Sequence, residues 1–163
     1  MNPNEQLIHT FYSAFQKKDY KTMRECYTGN ATFNDPVFIN LNARQAGTMW
    51  EMFCTKSKDL TIEFKNIKAG ETTGSGEWTA AYTFSKTGKI VVNHIQSRFR
   101  FLNGKIVQHN DSFNFYKWAS QALGLTGVLL GWTGFVKNKV RKAGMKSLND
   151  FINQDRSPLK SVS

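Results

Sequence analysis

The sequence predicts an α+β fold, with helices first and a meander of long antiparallel strands after them. Three observations carry that reading. Leu7, Phe11 and Phe15 recur at helical spacing, as do Ala46, Met49, Trp50, Phe53 and Cys54 further on. From Leu60 the apolar period falls from 3.6 residues to 2. Glycine-bearing turn signals then separate the alternating stretches.

The elements follow in order. Residues 4–18 read as a helix whose face is Leu7, Phe11 and Phe15, with Ile8 and Tyr12 beside them. Asp19 caps a short second helix over 20–27 that buries Tyr20, Met23 and Tyr27. Ala31 to Phe38 reads as a short strand ended by proline. Asn42 with Gln45 three residues later is a capping box opening the next helix. Leu60 to Lys65 alternates, and Gly74-Ser75-Gly76 signals a turn. Trp78, Ala80, Tyr82 and Phe84 alternate in turn, and Lys86-Thr87-Gly88-Lys89 leads into a long strand over 90–102. Asn103-Gly104 signals a hairpin, and residues 105–116 form the last strand.

Composition bounds the function. At 163 residues, 40% apolar and 13% aromatic, the chain has one domain's length and enough apolar surface to exclude wholesale disorder. Cys26 and Cys54 form no disulfide framework, and His9, His94 and His109 lie in no HExxH or CxxC pattern, so no metal is expected. No GxGxxG or GxxxxGK[ST] cradle for a nucleotide cofactor occurs. The start, Met1-Asn2-Pro3-Asn4-Glu5, has neither a basic stretch nor an apolar one, which predicts a cytoplasmic address.

The pattern of elements, with Phe11-Tyr12-Ser13-Ala14-Phe15 ahead of Lys18-Asp19, resembles the nuclear transport factor 2-like superfamily. Ketosteroid isomerases and SnoaL-like polyketide cyclases belong to it. The same resemblance rests on Ala31-Thr32-Phe33-Asn34-Asp35-Pro36-Val37 and on Arg98-Phe99-Arg100-Phe101 leading to Gly104-Lys105-Ile106. It implies a cone-shaped barrel over residues 1–116, a strongly curved antiparallel-rich sheet with the N-terminal helices on its concave face. It also implies a homodimer through the outer sheet face, where strand parity puts His94, Gln96, Arg98 and Arg100.

The resemblance puts Asp35 where ketosteroid isomerases carry a general base. A carboxylate at the mouth of an apolar cone is partly desolvated, which raises its pKa toward neutrality. On the residues alone, Asp35-Pro36 equally reads as a strand end. The isomerase oxyanion positions fall on Phe11, which has no donor, and Ser97; Tyr12 is adjacent, but one residue along a helix turns a side chain by about 100°. Classical steroid isomerisation is therefore not expected. SnoaL-like cyclases use a carboxylate on the last strand, and Asp111 matches it. His109 shares its face, with Phe113 and Phe115 continuing it. Asp35, His109 and Asp111 thus form the candidate acid/base group, the alternative being a buried polar network or a solvent-facing pair. Phe11, Tyr12, Phe15, Phe33, Trp50, Phe53, Ile95, Ser97, Phe99 and Phe113 are the candidate ligand-binding walls, and each also reads as plain core.

Residues 117–152 form an extension beyond the cone, and 153–163 read as a disordered tail. Trp118 to Val136 carries no charge and contains four glycines, and three readings compete for it: a membrane span, an interfacial anchor or a packed element. The packed element is preferred, broken near Gly124–Gly127 and Gly131–Gly134. Residues 135–152 are amphipathic and basic. Residues 137–163 hold seven Lys and Arg against two Asp, half of the net charge of +10. Exposed aromatics do not interleave with these cations, so nucleic acid is not the expected partner. The expected function is cofactor-free acid/base catalysis on a small apolar carbonyl or epoxide compound. The alternative is a non-catalytic binder of a hydrophobic ligand, with a membrane surface at residues 118–146 possible but not favoured.

Overall fold

The computed structural model describes residues 1–154. Helix α1 (Pro3–Gln16) opens where the Asn2 side chain accepts the Asn4 N–H, and Asp19 caps α2 (Tyr20–Glu25) through the Thr22 N–H. Strand β1 (Tyr27–Asn34) starts earlier than the pattern predicts, so Tyr27 belongs to the sheet and not to the second helix. The strand ends before Asp35, whose Oδ1 accepts the N–H groups of both Val37 and Phe38 at 2.6 Å and ties the chain into a turn. A two-residue strand β2 (Leu41–Asn42) leads into α3 (Ala43–Lys56), opened by the reciprocal Asn42–Gln45 capping box.

Strands β3 (Thr61–Ala69), β4 (Thr73–Phe84), β5 (Lys89–Leu102) and β6 (Lys105–Ser112) form the meander. Gly74, Ser75 and Gly76 lie inside β4 and do not form a turn. Both glycines sit in close approach: a Cβ on Gly74 would stand 2.9 Å from the Phe101 ring, and one on Gly76 2.6 Å from the terminal Cδ1 of Ile67, which could turn aside. Asn103 and Gly104 have positive φ, as the predicted hairpin demands. The last strand stops at Ser112, where Asn114 caps α4 (Phe115–Leu123), so Phe115 leaves the strand face assigned to it.

The sheet order is β2-β1-β6-β5-β4-β3, with β1 and β6 parallel and the other pairs antiparallel. Register shifts in three of the pairings mark bulges, which bend strands and let the sheet curve. Helices α1 and α3 pack against it, giving the predicted α+β architecture. The core between them holds Ile8, Phe11, Tyr12, Phe15, Phe33 and Trp50, all 2% exposed or less.

The extension continues from α4 through α5 (Leu125–Leu130) to α6 (Gly134–Gln154), with breaks at the predicted glycines. A second cluster joins Val91 of β5 to Phe115, Trp118, Ala119 and Ala122 of α4. Helix α6 inserts Leu148 into the main core and lays Gly144 on Val37 and Phe38. No helix among the described residues is long and apolar enough to cross a membrane. The tail predicted over 153–163 begins with Asn153 and Gln154, which are helical; residues 155–163 lie outside the described residues.

Candidate functional site

Strand pairing assembles the acid/base residues. Ser97 faces Asp111 across β5 and β6, and Phe99 faces His109. Parallel pairing sets Phe33 beside His109 and Asn34 beside Asn110, which carries Asp35 to the level of Asp111 at the strand ends. Odd-numbered residues of both strands point inward there, so the three predicted catalytic residues share one region of the fold.

Two hydrogen-bonded chains converge on Asp111 Oδ1. In the first, Trp50 Nε1–H donates to the Tyr27 hydroxyl oxygen at 3.0 Å. The Tyr27 hydroxyl meets His109 Nδ1 at 2.7 Å, and His109 Nε2 meets Asp111 Oδ1 at 2.9 Å. Donor supply assigns the tautomer: Tyr27 donates to Nδ1, and Nε2–H donates to the carboxylate. In the second chain Trp78 Nε1–H donates to Ser97 Oγ at 3.1 Å, and Ser97 donates to Asp111 Oδ1. With its proton committed, Ser97 accepts the Tyr12 hydroxyl at 2.6 Å. Tyr12 therefore reaches the site despite its offset from Phe11, because α1 buries both residues completely.

This polar network is enclosed by rings. Phe99 lies 4.4 Å from the His109 ring, Phe33 5.0 Å and Phe11 5.5 Å, while Trp50 stacks on it at 5.9 Å. His109 is fully buried and Asp111 is 7% exposed. Burial pushes the Tyr12 and Tyr27 hydroxyls well above the usual phenol range, and the Asp111 charge adds to both rises. Both therefore act as neutral donors.

Asp35 stands at the half-buried edge. Burial pushes its carboxyl up to about 7, and the neighbouring Asp111 adds to the rise. The Phe38 and Val37 N–H groups and the Arg141 guanidinium oppose it. Arg141 reaches over from α6 and donates to the Pro36 carbonyl at 2.9 Å. Tyr82, also half-buried, feels the Asp35 charge and accepts Trp118 Nε1–H at 2.8 Å. The extension thus covers the region beside Asp35 with Trp118 and Arg141. Neither Asp35 Oδ2 nor Asp111 Oδ2 takes a protein donor among the described residues. Each carboxyl is held by one oxygen.

The remaining predicted residues divide into two groups. Phe11, Tyr12, Phe15, Phe33, Trp50, Ile95, Ser97 and Phe99 are buried in the cone, whereas Phe53 and Phe113 are half-buried. His94 faces outward, paired with Thr79. Surface recesses lie elsewhere, one of about 400 Å3 beside Arg24 and Arg44, another of about 860 Å3 on the outer sheet at Arg98 and Arg100. Asp35, His109 and Asp111 line neither. Burial raises the thiols of Cys26 and Cys54 to about 11, which leaves them poor nucleophiles. No group of three metal-ligating side chains occurs among the described residues.

Tyr27, Trp78, Tyr82, Trp118 and Arg141 are the site residues that sequence patterns missed. Trp78 and Tyr82 share an inward strand parity that exposes them to inference. Tyr27 was hidden by its assignment to a helix, and nothing local marks Arg141.

Comparison with known proteins follows the same lines. The model of the SnoaL-like domain family matches residues 8–109, well over half of the chain. No curated protein matches the sequence. Among solved structures, an LEH-like epoxide hydrolase of M. tuberculosis superposes with a TM-score of 0.62 at 18% identity, covering 78% of this chain and 95% of its own. IdmH of Streptomyces antibioticus, a proposed polyketide cyclase, gives 0.63 at 20% identity, covering 77% and 100%. An NTF2-like protein of unknown function from Burkholderia pseudomallei gives 0.65 at 14% identity, covering 75% and 98%. At these identities the structural likeness concerns the fold.

Proposed function

The chain belongs to the SnoaL-like family, and we propose that it is a small-molecule enzyme working by cofactor-free general acid/base catalysis with Asp35 and Asp111. The observation that carries this reading is the pair of neighbouring carboxyls, each pinned through Oδ1 and each with an Oδ2 that takes no donor among the described residues. Asp35, pushed up to about 7, holds a proton over part of the neutral range and delivers it to a substrate oxygen. Asp111 takes a proton from carbon or from an attacking water. His109 and Ser97 fix its carboxylate; each turnover leaves Asp111 protonated and Asp35 ionised, and the proton then returns from Asp111 to Asp35 through solvent, which restores the starting pair. The aromatic surroundings suit an apolar carbonyl compound or epoxide. An epoxide hydrolase and a proposed polyketide cyclase are among the proteins of this shape, and proton exchange between two carboxyls serves either chemistry. Substrate reaches the pair where α4 and α6 lie over Asp35, which requires those helices to give way.

A second reading, a non-catalytic carrier for a hydrophobic molecule, is favoured by one observation. The Tyr12 hydroxyl is committed to Ser97 and the Ser97 hydroxyl to Asp111, so neither is free to polarise a substrate oxygen. One experiment separates the two. Apolar epoxides and enolisable ketones are offered to the protein, with ring opening and deuterium uptake from D2O followed by NMR. The enzyme reading expects turnover that falls by about 100-fold or more in Asp111→Asn. Saturable binding without turnover selects the carrier, and neither binding nor turnover overturns both.

A further inference from the structure

Helix α5 is built inside out. Leu125, Val128, Leu129 and Leu130 are 74%, 49%, 60% and 47% exposed, while Gly127 is the buried residue. The helix rests on α4 almost backbone to backbone. A Cβ on Gly127 would stand 1.9 Å from the Ala119 carbonyl oxygen, and one on Gly131, at the end of α5, would stand 3.0 Å from the Ala119 Cβ. The Tyr116 hydroxyl donates to the Val128 carbonyl at 3.0 Å and ties the helix from the side. Glycines therefore hold α5 flat against its support, and its apolar side chains point to solvent. The turn into α6 extends the same surface with Trp132 at 75% and Phe135 at 73% exposure. An amphipathic helix of a soluble domain buries its apolar face, so this arrangement marks a docking surface.

Charge selects the occupant. From Ser112 to Asn149 the chain holds six Lys and Arg and no Asp or Glu. Lys117, Lys139 and Lys142 are exposed on the flanking helices α4 and α6, and Lys139 lies over the Phe135 ring at 5.8 Å. A second copy of this face would set cations against cations, which disfavours self-association through it. Nucleic acid would satisfy the lysines but leave the leucines in water. An anionic bilayer satisfies both sets: apolar side chains enter the headgroup boundary while lysines stay at the level of the phosphates. Tryptophan is enriched at that boundary.

We propose that α5 and the turn into α6 dock this protein peripherally on an anionic lipid surface. Leu125, Val128, Leu129, Leu130, Trp132 and Phe135 enter the interface, and the lysines engage lipid phosphates. Docking of this kind lies on the membrane and does not cross it. It holds whatever chemistry the cone performs, because none of these residues touches Asp35 or Asp111.

The test uses the full chain and sucrose-loaded vesicles of phosphatidylcholine, with or without phosphatidylserine. Trp132 is a built-in reporter, since Trp50, Trp78 and Trp118 are 8% exposed or less. Expected are sedimentation with the phosphatidylserine vesicles, weakening as salt rises, and a blue shift of emission that brominated acyl chains quench. The double variant Leu129→Ser, Phe135→Ser keeps the reporter and should bind about tenfold more weakly or worse, with an unchanged circular dichroism spectrum. Absence of sedimentation with either vesicle at low salt would overturn the proposal, as would undiminished binding by the double variant. Self-association that the double variant abolishes, without vesicle binding, would also overturn it and assign the face to a second copy.

Discussion

Within the cone, Tyr12, Ser97, His109 and Asp111 are buried among aromatic rings, whereas on α5 four apolar side chains stand in water around a buried glycine. Each region places groups where water disfavours them, but the compensation differs. Inside, every hydroxyl and ring nitrogen of the network has a partner, so the desolvation of the polar groups is offset by hydrogen bonds. On α5 nothing among the described residues buries the leucines. The fold depends on its interior network and not on its surface leucines, so substitutions in the two regions should divide cleanly between stability and binding.

The largest effect is expected at Asp111. Asp111→Ala leaves the His109 Nε2–H and the Ser97 hydroxyl without an acceptor in a dry core, and should destabilise by about 3–5 kcal/mol in urea denaturation. Asp111→Asn keeps an oxygen at Oδ1 and should recover most of that stability while losing the base. Equal stability of the Ala variant and the parent would mean that the network contributes little, and the comparison with α5 would collapse.

Asp35 gives a smaller effect with a defined pH dependence. Its carboxyl releases its proton near 3.8 when unfolded and at about 7 when folded. The folded chain therefore binds more protons between those values. This contribution to stability is full below the unfolded pKa and is lost as pH rises through about 7. Asp35→Asn cannot ionise, yet it still accepts the Val37 and Phe38 N–H groups. At pH 8 it should be more stable than the parent, with the gap closing as pH falls toward 4. The shift corresponds to about 4 kcal/mol at most, and because Asp35 is half-buried the expected gain is on the order of 1–2 kcal/mol. Thermal unfolding across that range checks it, and a variant less stable at every pH would contradict the assigned environment.

Local signals in the sequence foretold the elements they belong to. The Asn42–Gln45 box, the Asn103-Gly104 hairpin and the glycine breaks in the extension each need only neighbouring residues. Strand parity likewise brought His109 and Asp111 to one face. The errors arose where one residue type serves two purposes. Gly74 and Gly76 mark close packing against Phe101 and Ile67, a role that resembles a turn when read locally. Phe115 continues an alternating pattern but follows the helix cap at Asn114. The unforeseen parts of the site are long-range. Tyr27 meets His109 across 82 residues, and Arg141 meets Pro36 across 105. Such contacts depend on where the helices dock, which no local spacing encodes.

The smallest effect should come from the residue that looks most misplaced. Leu129 is 60% exposed on a helix that touches its support through glycine. Leu129→Ser removes no buried surface of consequence and leaves no cavity, because its side chain contributes nothing to either core cluster. Serine has a slightly lower helix propensity than leucine, and the net change in unfolding free energy should stay within about 0.5 kcal/mol. The same substitution at a core position of equal size, Leu148, which is fully buried on the inner face of α6, should cost several times more, about 3 kcal/mol or above. Paired urea titrations of the two variants measure the contrast directly. A Leu129→Ser loss approaching that of Leu148→Ser would mean that α5 packs against something in solution even without lipid, and its apolar face would then belong to the fold.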